Sequence, residues 1–293
     1  MSGTTGITRA GFVALAGRPN VGKSTLVNGL VGRKVAIVSD KPQTTRRAIR
    51  GVATGADHQL VLVDLPGVQR PRDALTERMQ RRVESEVADS DAVLFVVNGV
   101  QGIGPGDRFI AHRVFGGPVP VVIALNKVDR VDPNRIAVQI ANAAALGDFH
   151  ALHPVSAKTE DGVGALRDEL AALLPEGPAY FPADEITDLS VEDRIAELVR
   201  EKALHLTKEE VPHAVTVEVT EIEGERIACV IYVETASQKG ILVGKGGSMI
   251  KEIGSRARPE IEHLLGTQVF LELMVKVRPR WRRDEAMLQR LGL

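Results

Sequence analysis

The residues Gly17-Arg18-Pro19-Asn20-Val21-Gly22-Lys23-Ser24-Thr25 have the types and the spacing to hold a polyphosphate. Two glycines bracket four residues and run into Lys and Ser, which is the pattern of a phosphate-binding loop. Glycines at the tight points let successive backbone N–H groups turn toward phosphate oxygens at the positive end of a helix. Lys23 would neutralise charge on the outer phosphates, and the Ser24 hydroxyl would ligate Mg2+. A bare glycine turn is the plain alternative, and the Lys-Ser pair at full spacing argues against it.

Further stretches extend that chemistry. Asp64-Leu65-Pro66-Gly67 puts a carboxylate at a strand tip beside a hinge-like Pro-Gly. Asp64 would hold the Mg2+ through a water, the Gly67 N–H would sense the terminal phosphate, and residues 68–83 would be the loop and helix that respond. Residues 34–47 begin apolar and become polar and turn-rich, and Thr45 or Thr44 from that loop could complete the Mg2+ shell. Asn126-Lys127-Val128-Asp129 decides the base. Asp129 can accept from both the N1–H and the exocyclic amine of guanine, the Lys127 stem can lie on the ring, and Asn126 braces the loop from the side. A buried carboxylate left unmatched under adenine costs about 1 to 3 kcal/mol, so the site reads as guanine-selective. Ser156-Ala157-Lys158 would offer backbone N–H groups to the guanine O6.

The elements that must position these groups follow from hydrophobic patterning. Phe12 to Ala16 reads as a buried strand before the glycine loop, and Leu26 to Val31 as a helix after it. Gln59 to Val63, Asp91 to Val97 and Val119 to Leu125 are continuous apolar runs, expected of a mostly parallel sheet covered on both faces. Pro175 to Pro182 breaks every periodic pattern, and a short acidic connector follows. The expected division is a first domain over 8–178, a linker over 179–190 and a second domain over 191–293. The second domain reads as a helix from about Val191, two strands (214–221 and 226–234) around Gly224, a helix, the turn Gly244-Lys245-Gly246-Gly247, another helix and a strand over 269–277.

Composition sets the outer bounds. The chain has 293 residues, 44% of them hydrophobic and 26% charged, enough for two ordinary domains. Its formal net charge of -1 leaves no global nucleic-acid footprint, so any basic surface is local. The single cysteine, Cys229, excludes an intrachain disulfide framework and a cysteine-cluster zinc site, and in a strand-like run it reads as a packed thiol. Met1 to Ala10 lacks the apolar core of a secretion signal, and no stretch of about 20 apolar residues occurs. A cytoplasmic protein is expected, with at most peripheral contact with the inner face of the cell membrane.

Taken in order, the first-half motifs resemble those of translation-factor-like GTPases over residues 10–178. The Gly17-Arg18-Pro19-Asn20 opening and the Thr44-Thr45-Arg46 loop are similar to the bacterial Era family in particular. That resemblance implies GTP as substrate, GDP as product and Mg2+ as cofactor. Members with an Asn at the position of Asn20 can use a bound K+ beside the phosphates. Val68 stands where many signalling GTPases carry a water-orienting Gln, so slow intrinsic turnover is expected. Two departures stand out: Leu65 replaces the usual Thr, and Asn98 ends its strand where Asp is commoner.

The second half, around Gly244-x-x-Gly247, resembles a type II KH domain over about 195–278. The expected fold class is therefore an α/β phosphate-loop GTPase domain followed by a smaller α+β type II KH domain. In such a module, Gly244, Gly246 and Gly247 let an RNA backbone approach while Lys245 and Lys251 add charge, and about four single-stranded nucleotides are clamped. Ile241, Val243 and Ile250 would form the apolar groove wall. Lys276, Arg278, Arg280, Arg282 and Arg283, with no acid before Asp284, read as a basic tail contacting phosphates. Trp281 and the segment 284–291 resemble the end of Era chains as well, and only one phosphate loop is present, unlike a related tandem family.

The family's role implies partners: the 3' end of 16S rRNA and the small ribosomal subunit, with the protein acting as a monomer. Two other readings fit the same residues. One is an RNA chaperone in which GTP is structural; the other is a membrane-associated signalling GTPase whose basic tail meets anionic lipid.

Overall fold

A computed structural model of the chain describes residues 6–41, 43–67 and 73–293. It divides into two compact units. The first holds residues 6–36, 45–67 and 76–188, and the second holds 189–293 with the described residues of 37–44 and 73–75.

In chain order the first half runs β1 (Arg9–Ala16), α1 (Lys23–Val31), β2 (Ile49–Thr54), β3 (His58–Asp64), α2 (Ala74–Ala88), β4 (Ala92–Asn98), α3 (Pro105–Val114), β5 (Val121–Asn126), α4 (Pro133–Ala144), β6 (Ala151–Pro154) and α5 (Val163–Ala172). The strands form one sheet in the order β2-β3-β1-β4-β5-β6, parallel except for the antiparallel β2–β3 pair. Alternate residues of the apolar strands feed cores on opposite faces. Val13 and Leu15 pack with Leu26, Leu30, Leu166 and Leu170 of α1 and α5, whereas Ala14 and Ala16 pack with Val83, Ile110 and Ala143 of α2, α3 and α4. This two-sided burial is why the strands lack a polar face. It also puts the sheet's carboxyl-end loops, which carry every first-half motif, along one crevice.

The helices α3, α4 and α5 have no counterpart in the sequence expectations, and two further features that bear on the sheet are absent from them as well. β2 is one, because Arg50 and Gly51 interrupt its apolar pattern. Gly51 is needed there, since a Cβ would lie 2.9 Å from both Val27 Cγ1 and Val31 Cγ2 of α1. The other is the connector after Pro178, which is strapped along the sheet rather than free. The buried Gln59 carboxamide accepts from the Tyr180 and Phe181 N–H groups at 2.8 and 2.9 Å and donates to the Phe181 carbonyl at 2.8 Å. Val52 N–H then donates to the Ile186 carbonyl at 2.9 Å, and Arg50 pairs with Asp188 at 2.9 Å. The first compact unit accordingly continues to Asp188.

The second unit contains α6 (Val191–Leu206), α7 (Val211–Ala214), β7 (Thr216–Glu223), β8 (Arg226–Val233), α8 (Ala236–Val243), α9 (Ser248–Leu265), β9 (Phe270–Val277) and α10 (Glu285–Arg290). Ser190 caps α6 by accepting from the Asp193 N–H at 3.1 Å, with acids in the first turn where the helix dipole favours them. The sheet order is β7-β8-β9, with β7–β8 antiparallel and β8–β9 parallel. Ile195, Val199, Ile227, Ile231, Leu242, Ile253 and Ala257 close its core. Cys229 is buried in it, and burial pushes its thiol up to about 12.

The residues beyond β9 fold back instead of trailing as a tail. Trp281 is fully buried and its Nε1 donates to the Ala214 carbonyl at 2.8 Å, while Asp284 caps α10. Among the described residues, no helix is long and apolar enough to cross a membrane.

Candidate functional site

The glycine loop leaves β1 and enters α1 through Gly22, whose φ of 102° is open to glycine and strained for other residues. Space forbids a side chain there as well: a Cβ on Gly22 would stand 2.3 Å from Asn126 Nδ2. Gly17 is equally confined, with a Cβ falling 2.5 Å from the Val96 carbonyl oxygen. Asn20 holds a positive φ of 65°, and Val21 is buried. Lys23 folds back over the loop, donating to the carbonyls of Gly17 and Arg18 at 3.1 and 3.2 Å. Burial lowers its ammonium to about 8, against the opposing pull of Asp64. A polyphosphate would add countercharge to that of Asp64.

Ser24, Thr45 and Asp64 come from three elements and meet at one carboxylate. Ser24 Oγ donates to Asp64 Oδ2 at 2.7 Å, Thr45 Oγ1 donates to the same oxygen at 3.2 Å, and the two hydroxyls are 3.0 Å apart. Asp64 is fully buried and its Oδ1 has no hydrogen-bond partner. Burial raises its carboxyl, with Lys23, Ser24 and Thr45 acting the other way. A buried carboxylate with an orphaned oxygen and two hydroxyls beside it is a hard-oxygen donor set, which suits Mg2+. Of the two threonines, Thr44 spends its hydroxyl on the Lys41 carbonyl at 2.6 Å, so Thr45 is the one available. Gly67 lies against the loop: a Cβ on it would come within 2.8 Å of the Pro19 ring and nitrogen. Val68, which occupies the position of a water-orienting Gln in other GTPases, lies outside the described residues. Leu65 is fully buried, so this departure from the family pattern contributes core burial of about 1.5–3 kcal/mol where Thr would bring a hydroxyl.

A cleft of about 130 Å³ continues from the loop, lined by Gly22, Thr25, Asn126, Lys127, Asp129, Arg130, Ala157 and Lys158. Asn126 organises it. Its Nδ2 donates to the Val21 carbonyl at 2.9 Å, and its Oδ1 accepts from the Lys127 and Ala157 N–H groups at 2.7 and 3.0 Å. Lys127 has a positive φ of 66° and its Nζ reaches the Asn20 carbonyl at 2.7 Å, stretching the stem along the cleft. Burial, and then Arg130, lower its ammonium against the pull of Asp129. Ser156 Oγ donates to Asp129 Oδ1 at 2.8 Å, fixing the carboxylate that would read the base. The Ser156 and Ala157 N–H groups are already committed, to the Asp161 carbonyl at 2.9 Å and to Asn126, which leaves the Lys158 N–H for an incoming acceptor. Arg130 has no sequence signal beyond its adjacency to Asp129. Asn98, the other departure, accepts from the Val100 and Gln101 N–H groups at 3.0 and 3.2 Å and closes a turn.

In the second unit, Gly244, Gly246 and Gly247 have φ of 72°, 59° and 80°, so the turn between α8 and α9 needs glycine at each. A Cβ on Gly246 or Gly247 would meet nothing within 4 Å, which leaves the backbone open to a large ligand. Lys245 and Lys251 are exposed, Ile241 is exposed, and Val243 and Ile250 are half-buried against the core. The basic segment is less uniform than its sequence. Lys276, Arg280 and Arg283 are exposed, but Arg278 pairs with Asp284 at 2.7 Å and Arg282 is bound to Asp73.

Comparison with known proteins agrees with the two domains. Residues 12–127 match a family described as 50S ribosome-binding GTPase, and residues 205–282 match the KH domain family. The chain is similar to a crystal structure of Era in complex with MgGDPNP and nucleotides 1506–1542 of 16S ribosomal RNA, at 37% identity and a TM-score of 0.92, over 97% of this chain and 99% of that one. It is likewise similar to a variant of Aquifex aeolicus Era bound to GDP and AlF4−, at 37% identity and a TM-score of 0.93, with the same coverage of both chains.

Proposed function

The chain belongs to the Era family of GTPases, and on that premise we propose that it hydrolyses GTP to GDP and phosphate and binds the single-stranded 3' end of 16S rRNA during small-subunit assembly. The observation that carries the hydrolytic half is the convergence of Ser24, Thr45 and Asp64 beside Lys23. Those three residues would hold Mg2+, which when bound offsets charge on the phosphate oxygens. The main-chain N–H groups of the loop from Gly17 to Ser24, Pro19 excepted, cradle the phosphates, Lys23 meets charge developing on the outer ones, and Asp129 selects guanine over adenine. Water adds to the terminal phosphorus as the bond to the GDP oxygen breaks, and the Thr45 and Gly67 segments release when that phosphate leaves. Asn20 would favour a K+ ion beside the phosphates, supplying positive charge without an arginine finger. Equal turnover in Na+ and K+ buffers removes that assignment.

The RNA half rests on the open backbone at Gly246 and Gly247 flanked by exposed Lys245 and Lys251. The protein acts as a monomer in the cytoplasm, its partner is the small ribosomal subunit, and any membrane contact is peripheral. The proposed division is a GTPase domain from residue 8 with residues 179–188 strapped to it, followed by an RNA-binding domain over 191–293. Acidic substitutions at Gly244 and Lys245 test the RNA assignment: lost RNA binding with unchanged lipid binding is expected, and the reverse supports a membrane-associated switch. Retained function in Lys23→Ala, with the fold checked, supports GTP as a structural ligand only.

A further inference from the structure

The chemistry of nucleotide binding does not itself use the Arg18 side chain, yet that side chain is held at three points, by Gly102 ahead of α3 and by Gly106 and Asp107 in its first turn. Arg18 Nε lies 2.8 Å from Asp107 Oδ2, and Arg18 Nη2 lies 3.5 Å from the Gly102 carbonyl. The arginine stem crosses the first turn of α3 at Gly106, so closely that a Cβ there would stand 2.6 Å from Arg18 Cδ. Asp107 is fully buried. Its Oδ2 also accepts from the Gly104 N–H at 2.8 Å, and its Oδ1 has no hydrogen-bond partner. A buried carboxylate is costly unless a cation faces it, and Arg18 is the cation. At its other end Arg18 offers its main-chain carbonyl to Lys23 Nζ at 3.2 Å. One residue therefore ties α3 by its side chain to the phosphate-loop lysine by its backbone.

We propose that Asp107 is a positioning residue for the nucleotide site, acting through Arg18 to preset the phosphate loop, and that Gly106 is the notch through which the arginine reaches it. The loop must display its N–H groups before a ligand arrives, and a charge-paired anchor on a neighbouring helix removes conformations that would otherwise have to be lost on binding. The effect falls on the bound ground state. The phosphates held by the loop backbone are present in GTP and GDP alike, so binding of both weakens together and turnover at saturation changes little. The inference rests on the nucleotide reading above but is separable from it, since it concerns side chains that touch no nucleotide.

The test is a double-mutant cycle on the full chain, reading the affinity for fluorescent GDP and for a GTP analogue, kcat and KM for GTP, and Tm. Asp107→Asn keeps an acceptor for Gly104 and removes the charge. It is expected to weaken both nucleotides about tenfold and to raise KM similarly, with kcat within about twofold. Arg18→Gln should do the same, and the double variant should be no weaker than the worse single one. A drop in Tm with unchanged nucleotide affinity, or losses that multiply in the double variant, overturns the proposal. Gly106→Ala gives an arm that leaves both charges in place. It should weaken nucleotide binding when Arg18 is present and be harmless for binding, with a raised Tm, in the Arg18→Ala background. Equal effects in the two backgrounds also overturn it. If the unaltered protein binds no guanine nucleotide, the nucleotide reading fails first, and the cycle has told the two apart.

Discussion

Asn126 Nδ2 donates to the Val21 carbonyl at 2.9 Å, joining the base-reading turn to the phosphate loop across 105 residues of sequence. The same carboxamide accepts from Lys127 and Ala157, so three loops at the sheet's carboxyl edge share one brace. Asn126→Ala leaves a buried carbonyl and two N–H groups without partners. At roughly 1 kcal/mol for each lost bond, GDP affinity should fall by about two orders of magnitude. A fluorescent-GDP titration checks this.

Asp129 would meet guanine through acceptor oxygens alone, one of them already fixed by Ser156 Oγ at 2.8 Å. Asp129→Asn puts a donor where guanine presents its amine. Guanine nucleotides should bind at least about tenfold more weakly, and a xanthine nucleotide, with an oxygen at that place, should gain. Competition among GTP, XTP and ATP for the variant gives the answer, and an unchanged preference order would count against Asp129 as the base reader.

The two threonines separate cleanly. Thr45 Oγ1 faces Ser24 and Asp64, whereas Thr44 Oγ1 is bonded to the Lys41 carbonyl. Thr45→Ala should lower kcat for GTP by about 10- to 100-fold and weaken the Mg2+ dependence of nucleotide binding. Thr44→Ala should leave kcat within about threefold. Single-turnover assays across a Mg2+ series distinguish them.

The basic segment divides into cations paired with a carboxylate, namely exposed Arg278 and half-buried Arg282, and exposed cations such as Lys276 and Arg280. Lys276→Ala and Arg280→Ala should each weaken RNA binding and reduce the salt slope by about 0.7, the single-strand value for one phosphate contact. Arg278→Ala and Arg282→Ala remove the partners of Asp284 and Asp73 and should act mainly on Tm. RNA binding measured at several salt concentrations, beside thermal melts, tests both halves.

Cys229 gives a chemical check on the second unit's core. Burial pushes its thiol up to about 12, so the reactive thiolate is scarce at pH 8 in the folded protein. Iodoacetamide should leave it unmodified in native buffer and alkylate it in urea, where its pKa returns to about 8.5. Rapid labelling of the native protein would contradict the core described for β8.

The parts of the site legible in sequence are those built from contiguous residues whose backbone does the binding. Gly17 to Ser24 and Gly244 to Gly247 need glycine for φ or clearance, and Asp64 and Asn126 follow apolar runs that end at the sheet's carboxyl edge. Contacts made at a distance leave no such trace. The Gln59 cradle for Phe181, the Asp107 anchor for Arg18 and the burial of Trp281 each join segments with no local pattern between them. β2 escapes because it is an antiparallel edge strand that carries Arg50 and Gly51, so neither a continuous apolar run nor strict alternation marks it.

The dependence of the RNA site on the nucleotide site is tested most directly by measuring affinity for a single-stranded RNA matching the 16S 3' end in three states: with a non-hydrolysable GTP analogue, with GDP and with no nucleotide. Binding at least about tenfold tighter with the analogue, a coupling near 1.4 kcal/mol, is expected. The same affinity in all three states contradicts a switch that governs an RNA clamp.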